Sequence, residues 1–489
     1  MRLIYKFGGT SMAGGERIAH SAALARAAAV EHELVTVVSA MDQVTEQLLD
    51  LAEAAGSGKI PRTRELLSVV RQSHETAARG ISAGAQVSIE ELLAKLETLA
   101  AGVLAVGELT PRLADAIVAF GERLSSVLMA EAMGCQGFDG QAAGIVTTDH
   151  FGEAEPLMRE SMPRIAERIG RVLAPNKPVV VAGFIAATAS GVVTTIGRGG
   201  SDYTATILGA ALNADEIHIW SDVDGLMTAD PRVVGAAKLL THISFAEAVE
   251  LGKFGAKSMH PRALEPAAQY GITVRMRNTF KPENAGTLIC AKPPASPVST
   301  GSISPGPVSA GSVIAVPALK DLAMLTVGGA GMVGRPGTAA AVFVALAQAR
   351  INVHMISQSV SEAGISLVVS KKQAERARAA LARALIAHDA SGASRPAAVF
   401  GHIMADDVAR DHAVSTVDVQ PDLVILAVVG GAMRGTPGVA ATLFTAIASA
   451  GVNVIAIAQG SSELSIALAV PAADANKAVV AVHAAFKLG

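Results

Sequence analysis

Five consecutive residues in the stretch TTIGRGGSDYTATILGAAL (Thr194 to Leu212) combine chemistry suited to an anionic ligand. They are Arg198, Gly199, Gly200, Ser201 and Asp202. An apolar, helix-like run follows them, and a helix N-terminus presents unpaired N–H groups and a partial positive charge. The glycines allow a ligand to approach the backbone closely. The spacing matches neither GxGxxG nor GxxxxGK[ST], so neither common nucleotide motif applies. A purely structural strand–turn–helix, with Asp202 as the helix cap, is the alternative.

A second loop with phosphate-binding chemistry follows the first predicted strand. The segment KFGGTS offers Lys6, backbone N–H groups at Gly8 and Gly9, and two hydroxyls. One cation beside successive N–H groups is an economical cradle for a phosphate. After the next predicted strand, VVSAMDQVT adds the hydroxyls of Ser39 and Thr45. A KxGG sequence alone is weak evidence, so the hypothesis depends on the other loops.

Three further segments place charged side chains near predicted element ends. FGERLSS puts Glu122 near a helix start, where an acid also simply stabilises the first turn. SDVDGLMTADPR carries Ser221, Asp222 and Arg232 after a predicted strand, although isolated Asp–Gly pairs are ordinary turn residues. GKFGAKSMHPRAL adds Lys257 shortly before a helix that begins at a proline.

Predicted strands and helices alternate through residues 1–290, which predicts an α/β fold with a doubly wound, mostly parallel sheet. The predicted strands include RLIYKF, ELVTVVSA, PVVVAGFIA, EIHIWSDVDG and ITVRMRN. A long helical stretch, broken near Gly84 and Gly107, is predicted from about Thr63 to Met133. Ligands of such sheets bind beyond the carboxyl ends of the strands. The polar loops that follow predicted strands are therefore expected to meet.

Composition excludes several classes of protein. A chain of 489 residues predicts two to four domains, at roughly 100–200 residues each. The net charge of −3 and the lack of a basic tract argue against nucleic-acid binding. Cys135 and Cys290 are too few for a metal cluster of their own or for a secreted disulfide scaffold. We predict no metal site formed by the protein.

One apolar run is long enough that a membrane-spanning segment has to be considered. Pro178 to Gly197 carries no formal charge and is long enough to span a bilayer. Glycines and a serine interrupt it, and PVVVAGFIA followed by SGVVTTIG favours two buried strands around a turn. The glycine pair of KFGGTS comes too early to leave room for the apolar core of a signal peptide. We therefore expect a cytoplasmic protein without membrane contact.

An internal repeat begins beyond a connector rich in Pro, Ser and Gly, AKPPASPVSTGSISPGPVSAGS. RPGTAAAVFVALAQARINVHMISQSVSE (Arg335 to Glu362) matches TPGVAATLFTAIASAGVNVIAIAQGSSE (Thr436 to Glu463) without a gap. Two copies are too few for a solenoid and predict two small α+β modules. Asn352 and Gln358 bracket an apolar strand in the first copy, where buried amides need a partner. A ligand or a subunit can supply it; duplication for bulk alone is the alternative.

The motifs KFGGTS, FGERLS, GRGGSDYTA, DVDGLMTADPR and KFGAKSMHP, in this order, resemble those of aspartate kinases, in the amino acid kinase superfamily. The repeats resemble the paired ACT modules of that family. The resemblance implies an amino acid kinase domain over 1–290, a linker over 291–312, and ACT modules over 313–395 and 396–489. Two positions depart from the pattern. Met227 replaces an aromatic residue that many relatives carry near the adenine, and Ser221 replaces a threonine.

The resemblance implies transfer of the γ-phosphoryl group of ATP to the side-chain carboxylate of L-aspartate, with Mg²⁺ carried on the phosphates. Lys6 and Asp202 are then the catalytic residues, with Asp202 pairing with the substrate ammonium or orienting Lys6. The implied substrate-binding residues are Thr45, Glu122, Arg198 and Ser201. The implied nucleotide-binding residues are Lys6, Gly8, Gly9, Ser39, Ser221, Asp222, Arg232 and Lys257.

Rival functions remain at this stage. Acetylglutamate and glutamate kinases share the phosphate cradle, but two ACT modules and GRGGSDY favour aspartate. A regulatory amino-acid-binding protein with an inactive kinase domain is expected to lack Lys6, Arg198 or Asp202, and all three are present. About twenty residues follow SIALAV, too few for a dinucleotide-binding domain, so we expect no homoserine dehydrogenase activity.

ACT modules usually pair, so the resemblance implies a homodimer or a dimer of dimers with an amino-acid effector at the module interface. The implied effector-binding residues are Asn352, Gln358 and Gln459. Both repeat copies keep a glutamine before the Ser–Glu pair, a pattern similar to that of the threonine-sensing members. A neutral amide suits a small hydroxylated amino acid. We therefore expect threonine as the effector, with lysine second.

Overall fold

The computed structural model describes residues 1–255, 259–291, 313–328, 337–358, 364–391, 416–460 and 462–489. The chain divides into two compact units. Of the described residues, the first unit contains Met1–Leu226, Leu239–Lys253 and residues 259–291, and the second contains Met227–Lys238, residues 254–255 and the described residues from 313 onward. Among the helices in these ranges, none combines the length and the apolar character needed to cross a membrane.

A mixed sheet forms the centre of the first unit. The strands of this unit are β1 (Arg2–Phe7), β2 (Glu33–Val38), β3 (Gln136–Phe138), β4 (Val146–Thr147), β5 (Val179–Ala182), β6 (Ile185–Thr188), β7 (Val193–Thr195), β8 (Glu216–Ser221), β9 (His242–Ser244), β10 (Thr273–Asn278) and β11 (Thr287–Cys290). The large sheet has the order β3-β5-β2-β1-β8-β10-β11-β9, and β4, β6 and β7 form a smaller sheet. Neighbours from β3 to β10 pair in parallel, whereas β10 and β11 are antiparallel. The predicted, mostly parallel sheet is confirmed.

Helices cover both faces of this sheet. They are α1 (Gly15–Ala29), α2 (Val44–Gly56), α3 (Ile60–Arg79), α4 (Ala83–Val106), α5 (Pro111–Val118), α6 (Phe120–Met133), α7 (Gly140–Ala143), α8 (Met158–Arg168), α9 (Gly200–Leu212), α10 (Phe245–Lys253) and α11 (Pro261–Tyr270). Side chains alternate between the faces of a strand. On one face Trp220 of β8 shares a core with Ile18 of α1 and Leu124 of α6. On the other, Ile217 of β8 lies against Gly209 of α9.

The segment PVVVAGFIA is two strands in different sheets, so its prediction as a single strand is wrong. β5 pairs with β2 in the large sheet, whereas β6 pairs with β4 and β7. The chain turns sharply between them, with Phe184 in the left-handed region at φ 64°. At Gly183 a Cβ atom would come within 2.7 Å of the Ser201 side chain. This close contact explains the glycine, and apolar composition alone does not reveal it.

The predicted long helical stretch is confirmed as a series of helices, with one break displaced. The first break separates α3 from α4 at residues 80–82, so Gly84 lies inside α4. Ser82 caps α4 by accepting a hydrogen bond from the Ala85 N–H. The second break follows Gly107, which ends α4 in the left-handed conformation at φ 69°. The serine cap, and not the nearby glycine, therefore marks where the helix begins.

The second unit contains the two repeat copies. Its strands are β12 (Ala318–Gly328), β13 (Val353–Gln358), β14 (Gly364–Ser370), β15 (Thr416–Val429), β16 (Ala456–Gln459) and β17 (Ser465–Pro471). Its helices are α12 (Thr338–Gln348), α13 (Ala374–Ser391), α14 (Val439–Ser449) and α15 (Ala475–Ala485). The sheet order is β13-β14-β12-β15-β17-β16. The matching strands β13 and β16 therefore lie at opposite edges.

The two longest strands are shared between the repeat copies. The Leu322–Gly328 part of β12 pairs with β14 of the first copy, and the Leu423–Val429 part of β15 pairs with β17 of the second. β12 and β15 also pair with each other, with register shifts on both sides of Leu322. Because each long strand serves both copies, the two modules form one continuous sheet.

The segment Met227–Lys238 folds with the second unit, although it lies within the range predicted for the kinase domain. Ala229 and Val234 belong to the core cluster that contains residues of α14 and α15. Thr228 Oγ1 lies 2.9 Å from Nε2 of His483 on α15. Buried apolar contacts and a buried hydrogen bond therefore attach this segment to the C-terminal repeat copy.

Candidate active site

A cavity of about 680 Å³ opens in the first unit beside the carboxyl ends of β1 and β2 and the loop after β7. Its walls include residues predicted from four separate motifs. These are Lys6, Gly9, Ser39, Thr45, Glu122, Arg198, Ser201 and Asp202. Parallel strands bring the loops at their carboxyl ends to one edge of the sheet, which is where these loops meet.

Lys6 and Asp202 form an ion pair at this cavity. Lys6 is near the end of β1 and is 8% exposed. Its Nζ lies 2.6 Å from Oδ1 of Asp202 in the first turn of α9. The alternative role of Asp202 as a helix cap is wrong, because Gly199 occupies the cap position and Asp202 lies inside the helix. The pair holds the Lys6 ammonium in a site with little solvent, where its electrostatic effect on an anion is strong.

The glycines after β1 differ in what their backbones offer. Gly8 donates its N–H to the Trp220 carbonyl at 3.1 Å, so this N–H is already used and the predicted role of Gly8 as a donor to phosphate is wrong. A Cβ atom at Gly8 would lie 3.7 Å from Lys6 Nζ. Gly9 begins a short 3-10 helix, Gly9–Met12, and itself lines the cavity. The absence of a side chain at Gly8 therefore keeps the approach to Lys6 open.

Glu122 lies in the first turn of α6 but is not a solvent-exposed helix acid. It is 4% exposed, and burial raises the pKa of its carboxyl to about 8. Hydrogen bonding from the backbone of Ala40 and the charge of Lys6 act in the opposite direction. Its Oε2 atom is buried and has no hydrogen-bond partner among the described residues. A buried acceptor at a cavity wall is suited to a cation such as an ammonium group.

Arg198 projects from a loop shaped by glycines. Gly197 and Gly199 have φ values of 75° and 74°, a conformation that other residues rarely adopt. A Cβ atom at Gly199 would also lie 2.6 Å from the Cβ of His260. Arg198 itself is exposed and lines the cavity. The guanidinium is therefore available to bind a carboxylate in the two-pronged geometry that arginine favours.

Hydroxyl groups complete the walls of the cavity. Ser39 follows β2 and donates its N–H to the Phe7 carbonyl at 3.1 Å, which fixes the position of the loop. Thr45 lies in the first turn of α2, and Ser201 in the first turn of α9. Ser201 is buried against Gly183. These side chains supply neutral donors beside the charged groups.

Three other predicted nucleotide-binding residues that the structure describes, Ser221, Asp222 and Arg232, do not line this cavity. Ser221 ends β8, directly beside β1 in the sheet, and Asp222 follows it at the surface. Arg232 lies in the Met227–Lys238 segment, where its guanidinium contacts both carboxylate oxygens of Asp230 at 3.0 and 2.8 Å. Lys257 lies outside the described residues.

The predicted effector residues are at the surface of the second unit. Gln358 ends β13 and Gln459 ends β16, and both glutamines are exposed, as is Asn352. The argument that Asn352 and Gln358 are buried amides in need of a partner is therefore wrong for the single chain, since solvent reaches both side chains. The neighbouring Ile356 and Ile457 are also about half exposed, at 50% and 48%.

Two residues at or beside the cavity were not predicted from the sequence. His260 belongs to the KFGAKSMHP motif but attracted no prediction; it packs against Gly199, and its pKa is lowered mainly by burial. Asp115 lines the cavity from α5 and is buried. Motif membership was an available signal for His260. For Asp115 there was none, because its partners are far away in the sequence.

Comparison with known proteins supports one family over the whole chain. Residues 1–278 match the model of the amino acid kinase family, and residues 325–385 and 426–486 match an ACT domain model. The chain is 31% identical to aspartokinase 3, chloroplastic, of Arabidopsis thaliana, over 99% of this chain and 81% of that protein. The chain belongs to the aspartokinase family.

Other members of the aspartokinase family are longer. The chain is 34% identical to bifunctional aspartokinase/homoserine dehydrogenase 1, chloroplastic, of Zea mays, over 99% of this chain and 50% of that protein. It is also 34% identical to the bifunctional aspartokinase/homoserine dehydrogenase of Haemophilus influenzae, covering 56% of it. The chain thus spans about half the length of these bifunctional relatives.

Solved aspartokinase structures share the fold. Escherichia coli aspartokinase III in complex with aspartate and ADP (R-state) superposes with a TM-score of 0.74 at 28% identity, over 99% of both chains. The same enzyme in complex with lysine and aspartate (T-state) gives a TM-score of 0.76 at 29% identity, over 99% of this chain and 98% of that one. The arrangement of an amino acid kinase domain followed by ACT domains is therefore common to these aspartokinases and this chain.

Proposed function

We propose that this chain transfers the γ-phosphoryl group of ATP to the side-chain carboxylate of L-aspartate. The observation that carries the proposal is one cavity lined by the Lys6–Asp202 ion pair, by Arg198, and by the buried carboxyl of Glu122, whose Oε2 has no hydrogen-bond partner among the described residues. These groups match the phosphate, the ammonium and a carboxylate of the two substrates. The aspartate and ADP bound by the E. coli relative support the same assignment.

Aspartate binding is proposed to use opposite charges at the two ends of the amino acid. The Glu122 carboxylate pairs with the ammonium group, and Arg198 donates two hydrogen bonds to a substrate carboxylate. The hydroxyls of Thr45 and Ser201 are placed to donate further hydrogen bonds. Because Glu122 is buried and Arg198 is exposed, the proposed pose places the ammonium group deeper in the cavity than the carboxylate bound by Arg198.

The transfer step brings two anions together. An oxygen of the aspartate side-chain carboxylate attacks the γ-phosphorus, the bond from that phosphorus to the bridging β–γ oxygen breaks, and ADP leaves with the electron pair. No proton is taken up or released. Phosphoryl transfer depends mainly on positioning and electrostatics, so the Lys6 ammonium stabilises the charge on the transferring group. Asp202 keeps that ammonium in place.

The nucleotide is proposed to lie along the loops after β1 and β8. Gly8 allows its close approach, Gly9 and Ser39 face it, and Ser221 and Asp222 hold its far side. Arg232 and Lys257 stay predictions from the family motifs. Mg²⁺ is assigned to the phosphates of ATP, and we give it no protein ligand.

The direct test is ADP formation measured by a coupled assay with L-aspartate, L-glutamate or N-acetyl-L-glutamate as the acceptor. We expect ADP formation that depends on aspartate. Dependence on either of the other acids would instead identify a different amino acid kinase. If none of the three acids supports ADP formation, the result favours the alternative of a regulatory amino-acid-binding protein with an inactive kinase domain.

Arg198→Ala is expected to raise KM for aspartate about 10- to 100-fold, because a charged hydrogen-bonded pair contributes roughly 1.5–3 kcal/mol. KM for ATP should change much less. Arg171→Ala is a suitable control, since this arginine is exposed in the same unit and pairs with Glu167 on its own surface. Equal increases in both KM values would show that Arg198 has a structural role.

Amino-acid control through the ACT modules is a second part of the proposal. The two ACT domain matches support it, and E. coli aspartokinase III has been crystallised with lysine. For this chain we favour threonine, with lysine second, because Gln358 and Gln459 offer neutral amides at matching strand ends. Binding would shift a two-state equilibrium in a homodimer or a dimer of dimers, with Asn352 also at the effector site.

Gln358→Ala is expected to raise the threonine concentration that gives half inhibition about 3- to 10-fold, since one neutral hydrogen bond is worth roughly 1 kcal/mol. Turnover without threonine should be nearly unchanged. Gln420→Ala is a matched control, because Gln420 is also exposed on a strand of this sheet but its counterpart in the first copy is Leu319, not a glutamine. If millimolar threonine leaves the wild-type enzyme fully active while lysine inhibits it, the interpretation of these glutamines is wrong.

A further inference from the structure

Asp115 is a buried carboxylate whose hydrogen-bond partners are all on distant segments. It lies on α5, is 3% exposed and lines the cavity. Its Oδ2 accepts hydrogen bonds from the N–H groups of Gly152 at 3.0 Å and Thr195 at 2.9 Å. Its Oδ1 accepts from the Thr195 hydroxyl at 2.9 Å. One side chain thus joins α5, the chain around Gly152, and the end of β7.

The donors to Asp115 are neutral groups of the protein framework. Burial raises the pKa of its carboxyl, while the hydrogen bonds from Gly152 and Thr195 act to lower it. Buried N–H groups that lose their acceptor destabilise the local structure, because they are then neither solvated nor paired. Asp115 therefore serves as the acceptor that lets two backbone segments lie at the cavity wall without solvent.

These contacts fix the base of the loop that carries Arg198. Thr195 is the last residue of β7, and Arg198 follows it by three positions. The Thr195 carbonyl also accepts a hydrogen bond from the Ala154 N–H at 2.9 Å, so both the N–H and the carbonyl of Thr195 are held. Beyond it, the loop contains Gly197 and Gly199 in left-handed conformations, which restrict the backbone little by themselves. The Ile196 N–H also donates to the Phe184 carbonyl at 3.0 Å, and the Gly200 N–H donates to the Gly197 carbonyl at 2.9 Å. Thr195 is thus the anchor on the β7 side of a loop whose own hydrogen bonds carry its position on to Arg198.

We propose that Asp115 is a positioning residue that sets the affinity for aspartate by holding the Arg198 loop in its binding geometry. The inference rests on the proposed function and specifies how that site is kept in shape. Asp115 acts through Arg198 and touches neither the phosphoryl group nor the nucleotide.

Asp115→Ala is expected to raise KM for aspartate about tenfold or more, with kcat and KM for ATP within about threefold of the wild-type values. Asp115→Asn should restore KM for aspartate to within about threefold. The asparagine carbonyl can still accept from both N–H groups, and its amide can donate to the Thr195 hydroxyl oxygen. The asparagine variant also covers the case in which the alanine variant does not fold.

Asp139→Ala is the matched control. Asp139 accepts from the Ala142 N–H at 2.8 Å and lies 3.3 Å from Arg123, but it does not line the cavity. Loss of this carboxylate should lower thermal stability without separating the two KM values. The control thus separates the general effect of removing a carboxylate that accepts from a backbone N–H from the specific effect of displacing Arg198.

A double-mutant cycle decides between positioning and a separate structural role. In an Arg198→Ala background, adding Asp115→Ala should raise KM for aspartate less than twofold further, since the group being positioned is gone. Independent, multiplying effects of the two substitutions would overturn the proposal, as would equal effects of Asp115→Ala on both KM values. A wild-type enzyme that forms no ADP with aspartate would instead show that the proposed function has failed, and this inference with it.

Discussion

Replacing Lys6 by alanine is expected to lower kcat by about 10²-fold or more while changing KM for aspartate only a few-fold. The ammonium of Lys6 lies in a nearly dry site, where a fixed charge stabilises a developing negative charge far more than it does in water. Aspartate binding relies on other residues, so the loss should appear in turnover. The measurement is the steady-state rate of ADP formation at saturating ATP and aspartate.

The alanine variant also leaves the Asp202 carboxylate without its partner, so stability has to be controlled. Breaking one half of a buried pair is more destabilising than removing both charges. Lys6→Met keeps the aliphatic stem, and Lys6→Ala combined with Asp202→Asn removes the unpaired charge. Both should fold as judged by circular dichroism and stay as inactive as Lys6→Ala. Near-normal turnover in any of the three would remove Lys6 from the mechanism.

The convergence of Lys6, Glu122 and Arg198 was predictable from the sequence, because it follows from a general property of parallel sheets. Each residue lies in or near a loop at the carboxyl end of a predicted strand or at the start of a helix that faces that edge. The order of strands was not needed for this conclusion. Family resemblance then attached a chemical role to each side chain, which spacing alone does not do.

Asp115 could not be predicted in the same way. In TPRLADAIVAF it looks like an ordinary acid in a short helix, and its significance comes from Gly152 and Thr195, which lie 37 and 80 residues away. The hydrogen bond from the Gly8 N–H to the Trp220 carbonyl likewise joins two residues that are far apart in the sequence. Hydrogen-bond partners of this sort depend on the register of packed elements, which no local pattern encodes.

Residues that are adjacent in the sequence also belong to different compact units of the fold. SDVDGLMTADPR was interpreted as one nucleotide-binding segment, yet Met227–Lys238 belongs to the second unit, where Ala229 and Val234 join the core of the C-terminal repeat copy. Ala229 in the motif and Val234 two residues beyond it are apolar enough for a core, but nothing in this stretch of sequence shows which core receives them. The assignment of a motif to one domain therefore needs the tertiary contacts of each part.

Glu122→Gln is expected to weaken aspartate binding and to stabilise the ligand-free enzyme at alkaline pH. The folded pKa of about 8 lies above the ordinary value of 4.5. Below the ordinary value both states are protonated, and the buried neutral carboxyl favours folding. As pH rises from there to about 8, the unfolded state loses its proton first, so the free energy of unfolding falls by about 1.4 kcal/mol per pH unit.

The glutamine variant should lack this slope, because its amide does not titrate. Chemical denaturation of the ligand-free proteins at pH 5 and pH 8 tests the expectation. The variant should be close to the wild type at pH 5 and more stable than it by a few kcal/mol at pH 8. Glu131→Gln is the control, since Glu131 lies on the same helix, is exposed, and accepts a hydrogen bond from Ser82.

Substrate binding should show the opposite dependence on pH. Only the ionised Glu122 carboxylate pairs with an ammonium group, so KM for aspartate in the wild type should fall by up to about tenfold per pH unit as pH rises from 6 towards 8. In Glu122→Gln this dependence should disappear, and KM for aspartate at pH 8 should be about 10- to 100-fold above the wild type. If Glu122 were simply an acid in the first turn of α6, its replacement would lower stability slightly and leave KM unchanged. A gain in stability at pH 8 together with a loss of aspartate affinity is expected only if the carboxyl is held in the cavity, at a cost to folding, to receive a cation.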